Sequence, residues 1–173
     1  MTGVAGQPAL VVGVDGSAAA RAALRWAVEQ AQRTGGRVVA IAVVEPRPLI
    51  APGSGLAGGA MTPGMVAGTL PEMSYGMADD EDVTAEADRW LSDAVSVLPA
   101  AAAEVVDPRA VVGDAADALL EAARGADLLV LGNHRRGTLT GALVGSVAQY
   151  CVQHAACPLV LVPAPESAVA DDR

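Results

Sequence analysis

A glycine-rich segment at residues 132–146 carries the residue types that bind anions. Glycines let backbone N–H groups approach a phosphate with no Cβ in between, and a helix that starts at Gly145-Ser146 adds unpaired N–H groups and the positive end of its dipole. One histidine and two arginines at positions 134–136 cluster potential positive charge in an acidic chain. Because Ser146 can add a hydroxyl and Gly132 opens the segment, we expect it to hold a phosphate.

Two common phosphate motifs do not fit this segment. A Walker A loop needs a lysine before its serine or threonine, and the chain contains no lysine. The dinucleotide fingerprint should follow the first strand, where residues 13–17 read Gly-Val-Asp-Gly-Ser and lack its third glycine. The pattern excludes a P-loop NTPase and an ordinary dehydrogenase.

Other chemistry-bearing residues have two interpretations each. Asp15 either braces the turn after the first strand or contacts a ligand there, and the sequence leaves both open. Cys151, His154 and Cys157 do not have the spacing of a paired-cysteine zinc site, so we assign them to packing rather than to a metal. No general base is apparent, which leaves slow hydrolysis of a bound phosphate group as the most that the residues would support.

The elements that would position these residues alternate along the chain. Apolar runs at residues 9–14 and 38–44, and the run after Asp127 in the segment 127–131, predict strands buried on both faces. Residues 105–112 and 158–163 predict two more strands, and Pro108 places the first of them at a sheet edge. Helical periodicity and caps predict helices over 17–34, from 79–81 to Pro99, from Asp114 onward and over 145–155.

Five strands alternating with four helices predict an open, mostly parallel, doubly wound α/β sheet with helices on both faces. Ligands of such sheets bind beyond the carboxyl ends of the strands. We expect a single domain over residues 1–165, with a Gly-, Pro- and Met-rich insert at about 46–80 and a flexible acidic tail at 166–173. The insert is either a lid over a ligand or a plain flexible connection.

Composition narrows the functional classes. The formal net charge of −9 argues against nucleic acid as a partner. Gly, Asp or Arg interrupts every apolar run before it reaches membrane-spanning length, and the N-terminus lacks the pattern of a signal peptide. With only two cysteines in the chain, we expect a cytoplasmic protein that contacts no membrane.

Five segments together resemble the universal stress protein family. They are Val-Gly-Val-Asp-Gly-Ser at 12–17, Val-Val-Gly-Asp-Ala-Ala-Asp-Ala-Leu at 111–119, Asp-Leu-Leu-Val-Leu-Gly at 127–132, Gly-Ser-Val-Ala at 145–148 and Cys-Pro-Leu-Val-Leu-Val-Pro at 157–163. The resemblance implies a Rossmann-like fold of the adenine nucleotide alpha hydrolase type. In the ATP-binding branch the loop has a second glycine where this chain has Arg135, which either crowds the phosphates or reaches one itself.

The resemblance implies a role for each matched position. It places Asp15 near the ribose or a metal, Val43 against adenine through its main chain, and Gly113 close to the sugar. The triphosphate of ATP, with or without Mg²⁺, would lie against Gly132, Gly145, Ser146 and Val147. Arg135 is a further candidate for contact with the phosphates.

The resemblance also implies a regulatory or signalling module in stress adaptation that pairs as a homodimer through the last strand, Leu159–Val162. An apolar final strand would leave an uncovered sheet edge, which agrees with pairing. The alternative is a dimeric interaction protein of the same fold that binds no nucleotide. A nucleotide-transferring enzyme ranks last, because the first strand lacks a loop that would grip pyrophosphate.

Overall fold

The computed structural model describes residues 7–45, 80–133 and 145–165. Its strands are β1 Ala9–Val14, β2 Arg37–Val44, β3 Val106–Val112, β4 Leu128–Asn133 and β5 Leu159–Pro163. Its helices are α1 Ala18–Thr34, α2 Asp80–Ser96, α3 Ala100–Ala103, α4 Ala115–Ala122 and α5 Ser146–His154. All strand pairs are parallel, in the order β3-β2-β1-β4-β5. The predicted open, doubly wound sheet is confirmed.

Helices cover both faces of the sheet, which explains why the strands are apolar at nearly every position. Successive side chains of a strand point to opposite faces. Along β1, Leu10, Val12 and Val14 join the hydrophobic cluster that packs against α1 and α2. Val11 joins a second cluster, which packs against α4 and α5. A sheet with two apolar faces therefore has its core in two layers.

Helix α1 lies close to the sheet because its buried side is built mostly from alanine. Ser17 caps it, accepting a hydrogen bond of 3.0 Å at Oγ from the Ala20 N–H, and Gly35 ends it in the left-handed conformation. Leu24 is completely buried at the centre of this face. The buried alanines share small size and helical spacing: Ala19, Ala20, Ala23, Ala27 and Ala31.

The strand order reverses at β1. The crossover through α1 leads from β1 to β2 on one side, whereas the crossover through α4 brings the chain from β3 to β4 on the other side. Connections that leave β1 and β4 in opposite directions open a crevice at their carboxyl ends. This crevice is where the predicted ligand segments after β1, β2 and β4 meet.

Both edges of the sheet are as the sequence predicts. β3 forms one edge and contains Pro108, and β5 forms the other. Within the described residues, two differences exceed a one-residue shift of an element's bounds: the short helix α3 was not anticipated, which makes five helices instead of four, and α2 ends at Ser96 rather than at Pro99. β4 also continues one residue past Gly132. The predicted insert at 46–80, apart from its last residue, and the predicted tail at 166–173 lie outside the described residues, as do positions 134–144.

Candidate functional site

A cleft of about 290 Å³ lies above the carboxyl ends of β1, β2 and β4. The starts of α1, α4 and α5 form its walls. Among the described residues that line it, Asp15 is the only one with an ionisable side chain. The lining consists of Gly13, Val14, Asp15, Ala20, Ile41, Val43, Ala115, Leu119, Leu131, Gly132, Gly145, Ser146, Val147 and Ala148.

The turn from β1 to α1 presents Asp15 to the cleft. Its Oδ1 accepts a hydrogen bond of 3.0 Å from the Ser17 N–H, which folds the turn back on itself. Gly16 between them has φ +76°, a value that side-chain-bearing residues rarely adopt. A Cβ on Gly16 would also lie 2.6 Å from Cδ1 of Trp90 on α2. The turn therefore requires a glycine for two independent reasons, and it fixes the backbone of the exposed Asp15.

Gly132, at the end of β4, is a glycine for reasons of packing. A Cβ there would lie 2.6 Å from the carbonyl carbon of Ala19 and 2.7 Å from the amide nitrogen of Ala20. These are backbone atoms of α1, so they cannot rotate out of the way. The sequence interpretation of Gly132 as a phosphate-approach glycine misses this: its lack of a side chain lets β4 and α1 meet.

Gly145 differs from Gly132 because the fold does not require a glycine there. Its φ of −56° and ψ of 155° suit any residue, and a Cβ would have no atom within 4 Å among its described surroundings. As the N-cap of α5 it makes no side-chain hydrogen bond to the helix. Its carbonyl accepts from the Gln149 N–H at 2.8 Å, so the preceding amides of α5 have no helical acceptor.

The base of the cleft is apolar. Ile41 and Leu131 are buried on neighbouring parts of the sheet, Leu119 closes the floor from α4, and Val43 is half-buried nearer the mouth. An uncharged ring fits such a floor, whereas the uncapped start of α5 suits an anion. The cleft can therefore hold a ligand that is apolar at one end and negatively charged at the other.

A second hollow of about 380 Å³ adjoins the cleft and shares Ala115, Ser146 and Val147 with it. Its wall carries the carboxylates of Glu45, Asp114 and Asp117. Asp114 caps α4, accepting at Oδ1 from the Asp117 N–H at 2.9 Å. Negative charge on this wall would repel an anion, which favours the main cleft over this hollow for any phosphate.

Six of the eight residues predicted for the site line the cleft: Asp15, Val43, Gly132, Gly145, Ser146 and Val147. Gly113 does not line it; its N–H donates to the Val44 carbonyl at 3.0 Å, and its φ is +148°. Arg135 lies outside the described residues. The apolar floor was missed, and its only sequence signal is an apolar residue one or two positions before a strand end, as at Leu131.

The cysteines and the histidine that invited a metal interpretation are separated by their environments. Cys151 is completely buried in the second cluster, and burial, with a smaller effect from the Asp114 charge, raises the pKa of its thiol. The exposed His154 stacks on Tyr150 with ring centroids 4.1 Å apart. In the described part of the chain, no three His, Cys, Asp or Glu side chains gather closely enough to hold a metal ion.

Across residues 7–45, 80–133 and 145–165, every helix is too short or too polar to cross a bilayer.

Solved structures of several proteins share this fold. UspA from Lactobacillus plantarum is 25% identical, with a TM-score of 0.58 over 90% of this chain and 97% of that one. A universal stress protein in complex with cAMP is 24% identical, with a TM-score of 0.61 over 92% of this chain and 98% of the other. The Archaeoglobus fulgidus protein in complex with dAMP is 23% identical, with a TM-score of 0.54 over 90% and 97% of the two chains.

Sequence comparisons agree with the structural ones. Universal stress proteins of Mycobacterium tuberculosis and Mycobacterium bovis are 30% identical over 156 residues, which is 89% of this chain. The chain spans about half the length of these relatives, 47%. A model of the universal stress protein family matches residues 9–163, which include every strand and helix described above. The chain therefore belongs to the universal stress protein family.

Proposed function

We propose that the chain binds ATP in the cleft at the reversal of strand order and acts as a cytoplasmic regulatory or signalling module in stress adaptation. The observation that carries the proposal is the start of α5, which faces the cleft without a side-chain cap. The amides of Ser146 and Val147 would donate to phosphate oxygens, strengthened by the helix dipole.

The rest of the ligand follows from the chemistry of the lining. Adenine would lie over the apolar floor with its edge against the main chain of Val43, and the ribose would lie near Asp15. Gly145, which the fold leaves free to carry a side chain, has a reason to remain glycine if a phosphate occupies the adjoining space. Two proteins of the same fold are described as complexes with cAMP and dAMP, which supports an adenine nucleotide.

Arg135 and Gly113 complete the proposed set. Arg135 would reach the phosphates from the loop after β4, and Gly113, hydrogen-bonded to Val44, would stand close to the sugar. A bound Mg²⁺ would neutralise phosphate charge, with the exposed carboxylate of Asp15 as its protein contact. Because that carboxylate is the single ionisable group among the described lining residues, we propose a binding module with at most slow hydrolysis.

Thermal denaturation with and without ATP tests the proposal. A ligand bound only to the folded state stabilises it by about 2.7 kcal/mol at one hundred times Kd. Ser146→Ala should reduce this stabilisation through a lost hydroxyl contact, and Gly145→Val should remove most of it by filling the space beside the phosphate. Ser96→Ala, an exposed serine at the end of α2, is the matched control and should keep the full shift. An undiminished ATP-induced shift in both cleft variants would show that the site is assigned wrongly.

The same experiment separates this function from a second candidate, a dimeric interaction protein that binds no nucleotide. Of the two edges of the sheet, the one at β5 favours dimerisation. At β3 the edge carries Pro108 and the Asp107–Arg109 ion pair of 2.6 Å, which hinder pairing with another strand. At β5 the edge reads Leu-Val-Leu-Val-Pro and has no neighbour beyond it in the described part of the chain.

We therefore infer a homodimer through Leu159–Val162. Sedimentation should give twice the chain mass of 17.3 kDa. Val160, which is partly buried and belongs to neither core cluster, is the position at which a charge disturbs the edge with least effect on the core. Val160→Lys should give a monomer with the ATP response retained. A wild-type monomer at all concentrations would contradict the dimer, and a dimer without any ATP response would favour the second candidate.

A further inference from the structure

The turn that presents Asp15 is held by two helices at once. From α1, Nη1 of Arg21 donates a hydrogen bond of 2.7 Å to the carbonyl of Gly16. From α2, the ring of Trp90 covers the side of Gly16 where a Cβ would be. Arg21 and Trp90 are both partly buried. Neither residue lines the cleft, so each acts on it through the turn.

The guanidinium supplies a donor that the helix does not. The first amides of α1 are already used: the Ala20 N–H goes to Oγ of Ser17, and the Arg21 N–H goes to the Ser17 carbonyl at 3.1 Å. The carbonyl of Gly16 therefore lies outside the helical ladder and takes a charged donor instead. A hydrogen bond to a charged group is stronger than one between neutral groups. The bond resists rotation of the Gly16–Ser17 peptide, whose N–H donates to Oδ1 of Asp15.

We propose that Arg21 is a positioning residue for the nucleotide site: it holds the Gly16 carbonyl and thereby keeps the Asp15 carboxylate directed at the cleft. The inference rests on the proposed function, because it requires that Asp15 face a bound nucleotide. Arg25 provides a matched control, since it lies one turn further along α1, carries the same charge and is exposed. An effect at Arg21 that is absent at Arg25 cannot come from net charge.

The test measures ATP affinity and unliganded melting temperature in parallel. Arg21→Met should weaken ATP binding about tenfold, the lower end of the loss typical when a residue that orients a contacting group is changed. Arg25→Met should leave the affinity within about twofold, as expected for a surface change away from the site. Arg21→Lys, which keeps a charged donor, should recover part of the loss and is the variant to use if Arg21→Met folds poorly.

A double-mutant cycle separates positioning from mere support of the fold. In an Asp15→Asn background, Arg21→Met should cost little further affinity, because the group that it positions has already been changed. An equal loss in both backgrounds, or a fall in melting temperature with unchanged affinity, would show a structural role and overturn the inference. Wild-type ATP binding with Arg21→Met equal to Arg25→Met would overturn the positioning role alone. A wild-type chain that binds no ATP would overturn the proposed function and this inference together.

Discussion

Two glycines of the cleft should respond in opposite ways to the same substitution. In Gly132→Ala the new methyl group would lie 2.6 Å and 2.7 Å from backbone atoms of Ala19 and Ala20. Carbon atoms pack at about 3.5–4.0 Å, so β4 and α1 must separate by about 1 Å. Overpacking of this kind costs about 1–3 kcal/mol. For a chain of this size each kcal/mol lowers Tm by about 2–4 °C, which gives a loss of about 2–12 °C.

Gly145→Ala adds the same methyl group where no atom of the described residues lies within 4 Å. Alanine is a poorer N-cap than glycine, which destabilises the folded state, but it also restricts the unfolded chain, which stabilises the folded state. The free energy of unfolding should therefore change by no more than about 0.5 kcal/mol. The ATP-induced rise in Tm should nevertheless shrink, because the methyl group enters the space proposed for the phosphate.

Urea unfolding of both variants, with and without ATP, measures each effect separately. The expected pattern is a destabilised Gly132→Ala and a stable Gly145→Ala with a weakened ATP response. Equal destabilisation of the two variants would refute the distinction between a packing glycine and a ligand glycine. So would a Gly145→Ala variant whose ATP response matches that of the wild type.

Three further predictions concern the fold. Leu24→Ala should cost about 2–5 kcal/mol in urea unfolding, because the side chain is completely buried, whereas Val152→Ala, exposed to 56%, should change stability by less than about 0.5 kcal/mol. Asp114→Ala should cost about 1 kcal/mol through the lost cap of α4, as measured by Tm, and should lower the pKa of Cys151 in thiol titration. The raised pKa of Cys151 means that the unfolded chain releases the thiol proton first, so the free energy of unfolding should fall as pH rises above about 8.5. Cys151→Ala should have a shallower decline over that range, and an identical decline would show that Cys151 does not cause it.

The architecture could be predicted from the sequence because four of the five strands, all except β3, contain a continuous apolar run. Ser17 and Asp114 mark helix starts by their side-chain chemistry, and both cap their helices in the structure. The short helix α3 could not be predicted, since four alanines after Pro99 carry no periodicity. The end of β4 was also missed, because it depends on a long-range hydrogen bond from the Ala164 N–H, directly after β5, to the Asn133 carbonyl at 3.2 Å.

The candidate site was predictable in part from the sequence. Asp15, which follows the end of β1, and Ser146, which starts α5, can be located from the boundaries of the predicted elements. Gly132 and Gly145 look alike in sequence, and only the positions of Ala19 and Ala20 distinguish them. The apolar floor has the same composition as the core. The contact between Arg21 and Gly16 has no signature, because arginine on a helix surface is common.

A crystal structure of the chain with a non-hydrolysable ATP analogue would test the central proposal most directly. We expect phosphate oxygens about 2.7–3.2 Å from the amide nitrogens of Ser146 and Val147. We also expect the adenine ring over the floor formed by Ile41 and Leu131. A cleft filled by the guanidinium of Arg135, or an analogue bound elsewhere with the start of α5 in contact with no phosphate, would contradict the proposal.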